Sequence, residues 1–371
     1  MKILLIGGTE DSIVAAQREP FADERHLLKR QFGITLKLVR AETLADISAG
    51  CQKDNSDVVF LFPSWRESAI DIERVVREIR EDKPQRKLMF VDPFAQSSSN
   101  FFSVLPYVDR FLKRQCNRDL GEYQEGFIGG SRFTAAIAES GIELNNWSVS
   151  SQVIKAYEHR IVTGWSLGTA TRFRRALSPR FGFSHRYPKK LDIFCRMSLG
   201  TKQQKEWYCE YRIAAVEALK PLNKDYKLAA SARFAEEGFI PRRQYERELK
   251  GSRIVFSPFG WGETCWRDFE AICYDCLLVK PSMEYLDTEP NIFIPGETYV
   301  PVRWDFADLE EKCRYYLENP EKADRIIQNA RRVYTDYFKQ GKFTQAIGSL
   351  IQDSRSLFEV CTQPNLFLQN L

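Results

Sequence analysis

The sequence predicts a two-domain α/β protein built on parallel sheets, and three observations carry that expectation. A chain of 371 residues is longer than a single core comfortably fills. Short apolar runs alternate with amphipathic helix patterns along both halves. Residues 252–305 hold one complete strand–loop–helix–strand unit. It runs from Ile254-Val255-Phe256 through a turn rich in Pro and Gly (Pro258, Gly260, Gly262) and a helical stripe to Leu277-Leu278-Val279, which Pro281 ends.

Taken in order, Lys2-Ile3-Leu4-Leu5-Ile6 is a strand that breaks at Gly7-Gly8. Strands follow at 34–39, 57–62 and 87–91, with a short one at 109–113, and the spacing predicts a helix over 69–80. Gly129-Gly130-Ser131-Arg132 opens a second helical run, 133–139. From Arg172 to Lys190 there are seven Lys or Arg and no acid, broken by Pro179 and Pro188, which suits a connection between domains. Interleaved aromatics give the same stretch a second reading, a surface for an anionic acceptor or membrane headgroups. A second sheet then begins at Leu191-Asp192-Ile193-Phe194-Cys195, followed by a helix at 208–219, a strand at 227–231 and a short helix at 240–249. Amphipathic helices at 308–318, 323–338 and 343–358 close the chain.

Composition excludes several classes. A net charge of +4 is close to balanced and does not indicate a nucleic-acid binder. No apolar stretch approaches the length that spans a bilayer, and residues 1–7 are too short for a signal-peptide core. Nine scattered cysteines in a chain of this size point to reduced thiols in a cytosol. Cys273 and Cys276 match a redox or metal pair in spacing, but the apolar stripe accounts for both as core residues. Three histidines do not make a histidine-rich metal site.

The chemistry lies on the other face of the helix in the 252–305 unit. Phe269, Ile272, Cys273 and Cys276 fall at i, i+3, i+4 and i+7, whereas Arg267, Glu270 and Tyr274 fall at i, i+3 and i+7 on a different face. A glycine turn entering a helix offers free N–H groups to a phosphate, with Thr264 as N-cap. Arg267 adds a charge-assisted contact, and the Glu270 carboxylate suits ribose hydroxyls. The competing account is an exposed Arg267–Glu270 ion pair worth little.

The run GWGETCWRDFEAICYDCLLVKP resembles the donor-site signature of glycosyltransferases of the GT-B fold, closest to the exostosin-like and group 1 branch. The resemblance covers about residues 192–338. It implies two Rossmann-like domains whose parallel sheets face a central cleft. Residues 1–185 would be the acceptor-side domain, 186–342 the nucleotide-sugar donor domain, and 343–371 a helix crossing back to the first. In those families the matching Arg contacts the donor diphosphate and the matching Glu the ribose, so Arg267 and Glu270 take those roles, with Gly260, Gly262, Glu263 and Thr264 around them. Arg196 and Lys202, in the loop after the strand at 191–195, would add diphosphate contacts. Many retaining members separate two glutamates by seven residues. Here six separate Glu263 from Glu270, which leaves the sugar-binding role of Glu263 and the anomeric outcome open. Tyr274-Asp275-Cys276 stands where such families place a small residue.

The expected activity is hexosyl transfer from a UDP- or GDP-sugar to a glycan, lipid-linked or other hydroxyl acceptor, with no metal and no further cofactor. No D-x-D element stands near a strand end. An inverting enzyme would need a base from the first domain. Asp92, at a strand's carboxyl end, and His159 are the candidates, each with a structural role as the alternative. Two other functions stay open: a non-catalytic scaffold of the same fold, and a nucleotide-cofactor enzyme using Gly7-Gly8, which lacks the third glycine of G-x-G-x-x-G.

Overall fold

The structure, a computed structural model, describes residues 1–145, 147, 153–178, 187–200, 206–232 and 238–361. Its strands in chain order are β1 (Lys2–Gly7), β2 (Thr35–Arg40), β3 (Val58–Phe62), β4 (Lys87–Val91), β5 (Arg110–Lys113), β6 (Gln115–Asn117), β7 (Ile161–Thr163), β8 (Leu191–Cys195), β9 (Leu228–Ala230), β10 (Ser252–Phe256), β11 (Leu277–Pro281), β12 (Leu286–Thr288) and β13 (Val300–Val302).

Two parallel sheets result, ordered β2-β1-β3-β4-β5-β7 and β13-β11-β10-β8-β9. Uniformly apolar runs such as Val58-Val59-Phe60-Leu61-Phe62 are buried throughout, as strands covered on both faces must be. The helix Ala69–Asp82 buries Ile72, Val75, Val76 and Ile79, the stripe its periodicity predicts. Sequence patterning finds the longer strands and the three-residue β9, which lies in an alternating strand–helix run, but not β6, β7, β12 or β13. Each is only three residues long, too short for a period to register.

The halves are joined by more than a linker. β6, from the first half, pairs antiparallel with β12, from the second. Phe133, on the helix Arg132–Glu139, packs at 5.4 Å from Trp207 and 4.9 Å from Phe259, so this early segment serves the second core. Phe173 and Leu177 belong to that core too, so it reaches back across residue 185. In return, the last helix, Lys342–Cys361, sets Phe343 against Phe21 (5.0 Å) and Trp165 (5.4 Å) beside the first sheet. The Thr344 N–H donates to the buried Glu24 carboxylate at 3.1 Å.

The loops leaving β4 and β10 meet face to face. Trp261 lies 4.6 Å from Trp65 and 5.3 Å from Phe94, and its carbonyl accepts from Gln96 Nε2 at 2.9 Å. Gly262 is a glycine for reasons of space, since an added Cβ would fall 2.1 Å from the Ala95 carbonyl oxygen. Beside it Glu263, with no solvent exposure, accepts from the Ser97 N–H, Gln115 Nε2 and the Tyr285 hydroxyl, each at 3.1 Å. Thr264 donates to Gln115 Oε1 at 3.0 Å.

At the carboxyl edge of the first sheet Lys113 pairs with Asp92, both side chains 1% exposed. Asp92 also accepts from Ser99 Oγ and the Phe94 N–H, and Lys113 donates to the Ser98 carbonyl at 2.9 Å. Removing one partner of such a pair strands a buried charge. Lys113→Met is expected to lower unfolding free energy by about 3–5 kcal/mol, measured by denaturant titration. Gly262→Ala must push the two loops apart, at a cost of about 1–3 kcal/mol by the same measurement.

Candidate functional site

The unit around β10 builds the site. Ser257 follows the strand, residues 258–265 cross its edge, and the helix Trp266–Cys273 begins with Cys265, not Thr264, as N-cap. The Cys265 N–H donates to Asp268 Oδ2 at 2.9 Å. Asp268 is fully buried and neutralised by the equally buried Lys280 at 3.2 Å. Ser257 Oγ donates to Asp268 and accepts from Arg267 Nε at 3.2 Å. Arg267 Nη1 donates to the Arg196 carbonyl at 2.9 Å, which aims the guanidinium across the end of β8. Nη2 has no hydrogen-bond partner among the described residues.

Glu270 projects from the next turn. It does not pair with Arg267. One carboxylate oxygen accepts from the Tyr245 hydroxyl at 3.0 Å, and the other meets Arg172 at 3.3 Å. Burial pushes the Tyr245 phenol up, so it remains a donor across the working range. Arg172 is itself stacked on Trp266, 4.0 Å from the ring centre. This places one member of the basic stretch at the site. With Tyr245, Glu246 and Tyr274 these residues line a cleft between the helices Thr171–Leu177, Arg242–Lys250 and Trp266–Cys273.

Several expected roles do not survive the geometry. Arg196 is closed by Glu248 (2.8 and 3.3 Å) and the Ala230 carbonyl (2.6 Å), so its side chain ties β9 to the helix Arg242–Lys250 and is not presented to a donor. Glu263 and Thr264 hold the two halves together and have no face toward a sugar. The Gly260 N–H donates to the Gly262 carbonyl and the Cys265 N–H to Asp268, so two N–H groups of the expected phosphate cradle are already engaged. Asp92 is sealed against Lys113 and cannot meet an acceptor. His159 is exposed on the short helix Lys155–Arg160 just before β7, at the opposite edge of the sheet from the carboxyl-end loops. Lys202 lies outside the described residues. Cys273 and Cys276 are core residues, 6% and 2% exposed, and the eight cysteines whose side chains are described are free.

One residue that sequence reasoning passes over is Arg212, on the helix Trp207–Glu217 after β8. Its guanidinium lies against Gly260, where an added Cβ would fall 2.1 Å from Nη2. Nη1 donates to the Ser198 carbonyl at 2.9 Å, and Tyr208 lies under the group at 5.1 Å. Nε is buried with no partner among the described residues. Burial, reinforced by the charge of Arg267, lowers the Arg212 pKa, yet a guanidinium stays charged at neutral pH. The i,i+4 spacing of Tyr208 and Arg212 was the available signal.

Residues 204–346 match the family model described as glycosyl transferase-like. A search of curated proteins finds no match. Among solved structures, the glycosyltransferase from Rickettsia africae ESF-5 superposes with a TM-score of 0.53 at 11% identity, over 95% of this chain and 98% of that one. An α-glucosyltransferase in complex with UDP gives 0.50 at 9% identity, over 93% and 100%. An α-glucosyltransferase in complex with UDP-glucose and DNA containing an abasic site gives 0.51 at 10%, over 93% and 99%. Identities this low speak for the fold, and they do so along nearly the whole length of each chain. The chain therefore has the GT-B fold of these glycosyltransferases, and within it residues 204–346 resemble the glycosyl transferase-like family.

Proposed function

We propose that the protein transfers a hexose from a nucleoside-diphosphate sugar, UDP- or GDP-linked, to a hydroxyl of a glycan or lipid-linked acceptor. The observation that carries the reading is the pair Arg267 and Glu270 on the first two turns of one helix, at the carboxyl edge of the second sheet. Ligands of open α/β sheets bind at that edge. Arg267 keeps one nitrogen without a partner among the described residues, suited to a donor phosphate oxygen. Glu270 offers its carboxylate to the ribose, where hydroxyls would replace the half-exposed Arg172 at one oxygen.

Transfer breaks the bond between the anomeric carbon and the β-phosphate oxygen, which leaves with the electron pair. The acceptor oxygen forms the new bond and its proton passes to the departing diphosphate oxygen or to solvent. Positive charge held beside the departing diphosphate stabilises it as charge develops, and a guanidinium fixed by Ser257 and the Arg196 carbonyl provides that without reorganising. We propose this as metal-independent chemistry on the protein's own arginines. The near-balanced charge of +4 favours a saccharide or lipid-linked acceptor over nucleic acid. Free, buried cysteines favour a reducing compartment. Among the described residues no helix is long and apolar enough to cross a membrane.

A thermal-shift panel of UDP, GDP, ADP, CMP and their sugar conjugates tests the donor reading, because a ligand bound only by the native state raises the apparent Tm. One nucleoside diphosphate is expected to raise it clearly. Arg267→Ala and Glu270→Ala are each expected to abolish most of the rise. A folded protein that answers to none of the panel would favour a scaffold of the same fold.

A further inference from the structure

Arg212 and Arg267 converge on the end of β8 and the glycine loop, where burial first and the Arg267 charge second lower the Arg212 pKa. Arg212 is wedged against Gly260 and Tyr208, with one nitrogen bonded to the Ser198 carbonyl and another buried with no partner among the described residues. Other buried cations nearby have carboxylates: Lys280 has Asp268, and Arg196 has Glu248. No carboxylate pairs with Arg212 or Arg267 among the described residues. Holding a partly buried guanidinium, its Nε without a partner among the described residues, beside the buried Arg267 is costly unless an anion completes the arrangement.

We propose that Arg212 is a binding residue for the donor's diphosphate, acting with Arg267 as a two-guanidinium anion site, and that Gly260 is glycine to admit it. This rests on the donor reading above and adds the residue that takes the place of Arg196. Arg196 ends β8 at the right edge of the sheet, but Glu248 occupies its fork. Arg212, one helix later, reaches the same edge with no carboxylate partner among the described residues. Arg267 Nη2 and Arg212 Nη2, which have no hydrogen-bond partner among the described residues, can each give a charge-assisted contact to a phosphate oxygen. The chemical class recognised is a diphosphate: the pyrophosphate group of a nucleoside-diphosphate sugar, of its nucleotide product or of inorganic pyrophosphate.

The test measures binding of UDP, GDP, the parent nucleosides and inorganic pyrophosphate by calorimetry, with unfolding curves of each protein without ligand. Wild type is compared with Arg212→Met, Arg212→Lys, Gly260→Ala and Arg267→Ala. Arg212→Met is expected to weaken the responding diphosphate and pyrophosphate by about tenfold to a hundredfold, the loss of one charge-assisted contact. Nucleoside binding should be unchanged. The unliganded variant should unfold at or above the wild-type temperature, because an unpaired buried charge has gone. Arg212→Lys is expected to recover only part of the affinity, and Gly260→Ala to weaken diphosphates by displacing the guanidinium. Diphosphate affinity unchanged in Arg212→Met but lost in Arg267→Ala would overturn the role of Arg212 and leave the donor reading standing. Equal loss of nucleoside and diphosphate binding with a lower unfolding temperature would make Arg212 a structural residue and overturn the proposal. A wild type that binds none of these probes, pyrophosphate included, would overturn the donor reading and this inference with it.

Discussion

Asp268 is a carboxylate without solvent exposure, and the local geometry of the site depends on how it is satisfied. Lys280 neutralises it, the Cys265 N–H and Ser257 hydroxyl donate to it, and Lys280 lies 4.8 Å over the Phe259 ring. These bonds join the end of β10, the start of the following helix and β11 into one unit. Because Ser257 is fixed by Asp268, it presents its oxygen to Arg267 in a single orientation, so a buried ion pair determines where a guanidinium points. Such a pair need not add stability over an apolar replacement, but breaking it on one side is severe. Its value here is placement.

Much of the architecture is legible in the chain because long strands and helices carry their own periods. The apolar runs at 2–6, 58–62 and 277–279 could hardly be anything but covered strands, and the glycine turn before Trp266 marks a strand-to-helix crossing. Which polar side chains face a ligand is less legible, because it depends on partners distant in sequence. Glu263 reads as a free carboxylate until Ser97, Gln115 and Tyr285 arrive from elsewhere. Arg196 reads as a phosphate ligand until Glu248 closes on it. Asp92 is at a strand's carboxyl end, as an active-site residue would be, and Lys113 on the neighbouring strand makes it structural. One signal was readable and missed. Lys280 continues the apolar run Leu277-Leu278-Val279, and a lysine in a strand covered on both faces requires a buried acid.

The two glycines of the loop illustrate how one residue type serves different ends. Neither has the left-handed backbone that only glycine adopts freely. Gly262 yields its side-chain volume to the Ala95 carbonyl of the opposite half, and Gly260 yields its own to Arg212. The first fixes how closely the halves approach, and the second fixes which cation reaches the edge of the second sheet. A motif reading treats both as a cradle of amides. The packing makes them two separate clearances.

The exchange of segments between the cores has a consequence for how the chain can be divided. A fragment ending near residue 185 would leave Phe133, Ile137, Phe173 and Leu177 without the second core they pack in. It would also lack Phe343, Ile347 and Ile351, which lie beside Phe21 and Trp165. The complementary fragment would lack the same contacts from the other side, and β6 and β12 would each lose its only strand partner among the described residues. Neither piece therefore corresponds to an autonomous folding unit. Expressed together, the two would behave as a split protein whose reassembly rebuilds both cores, so that the architecture is modular to the eye but cooperative in its folding.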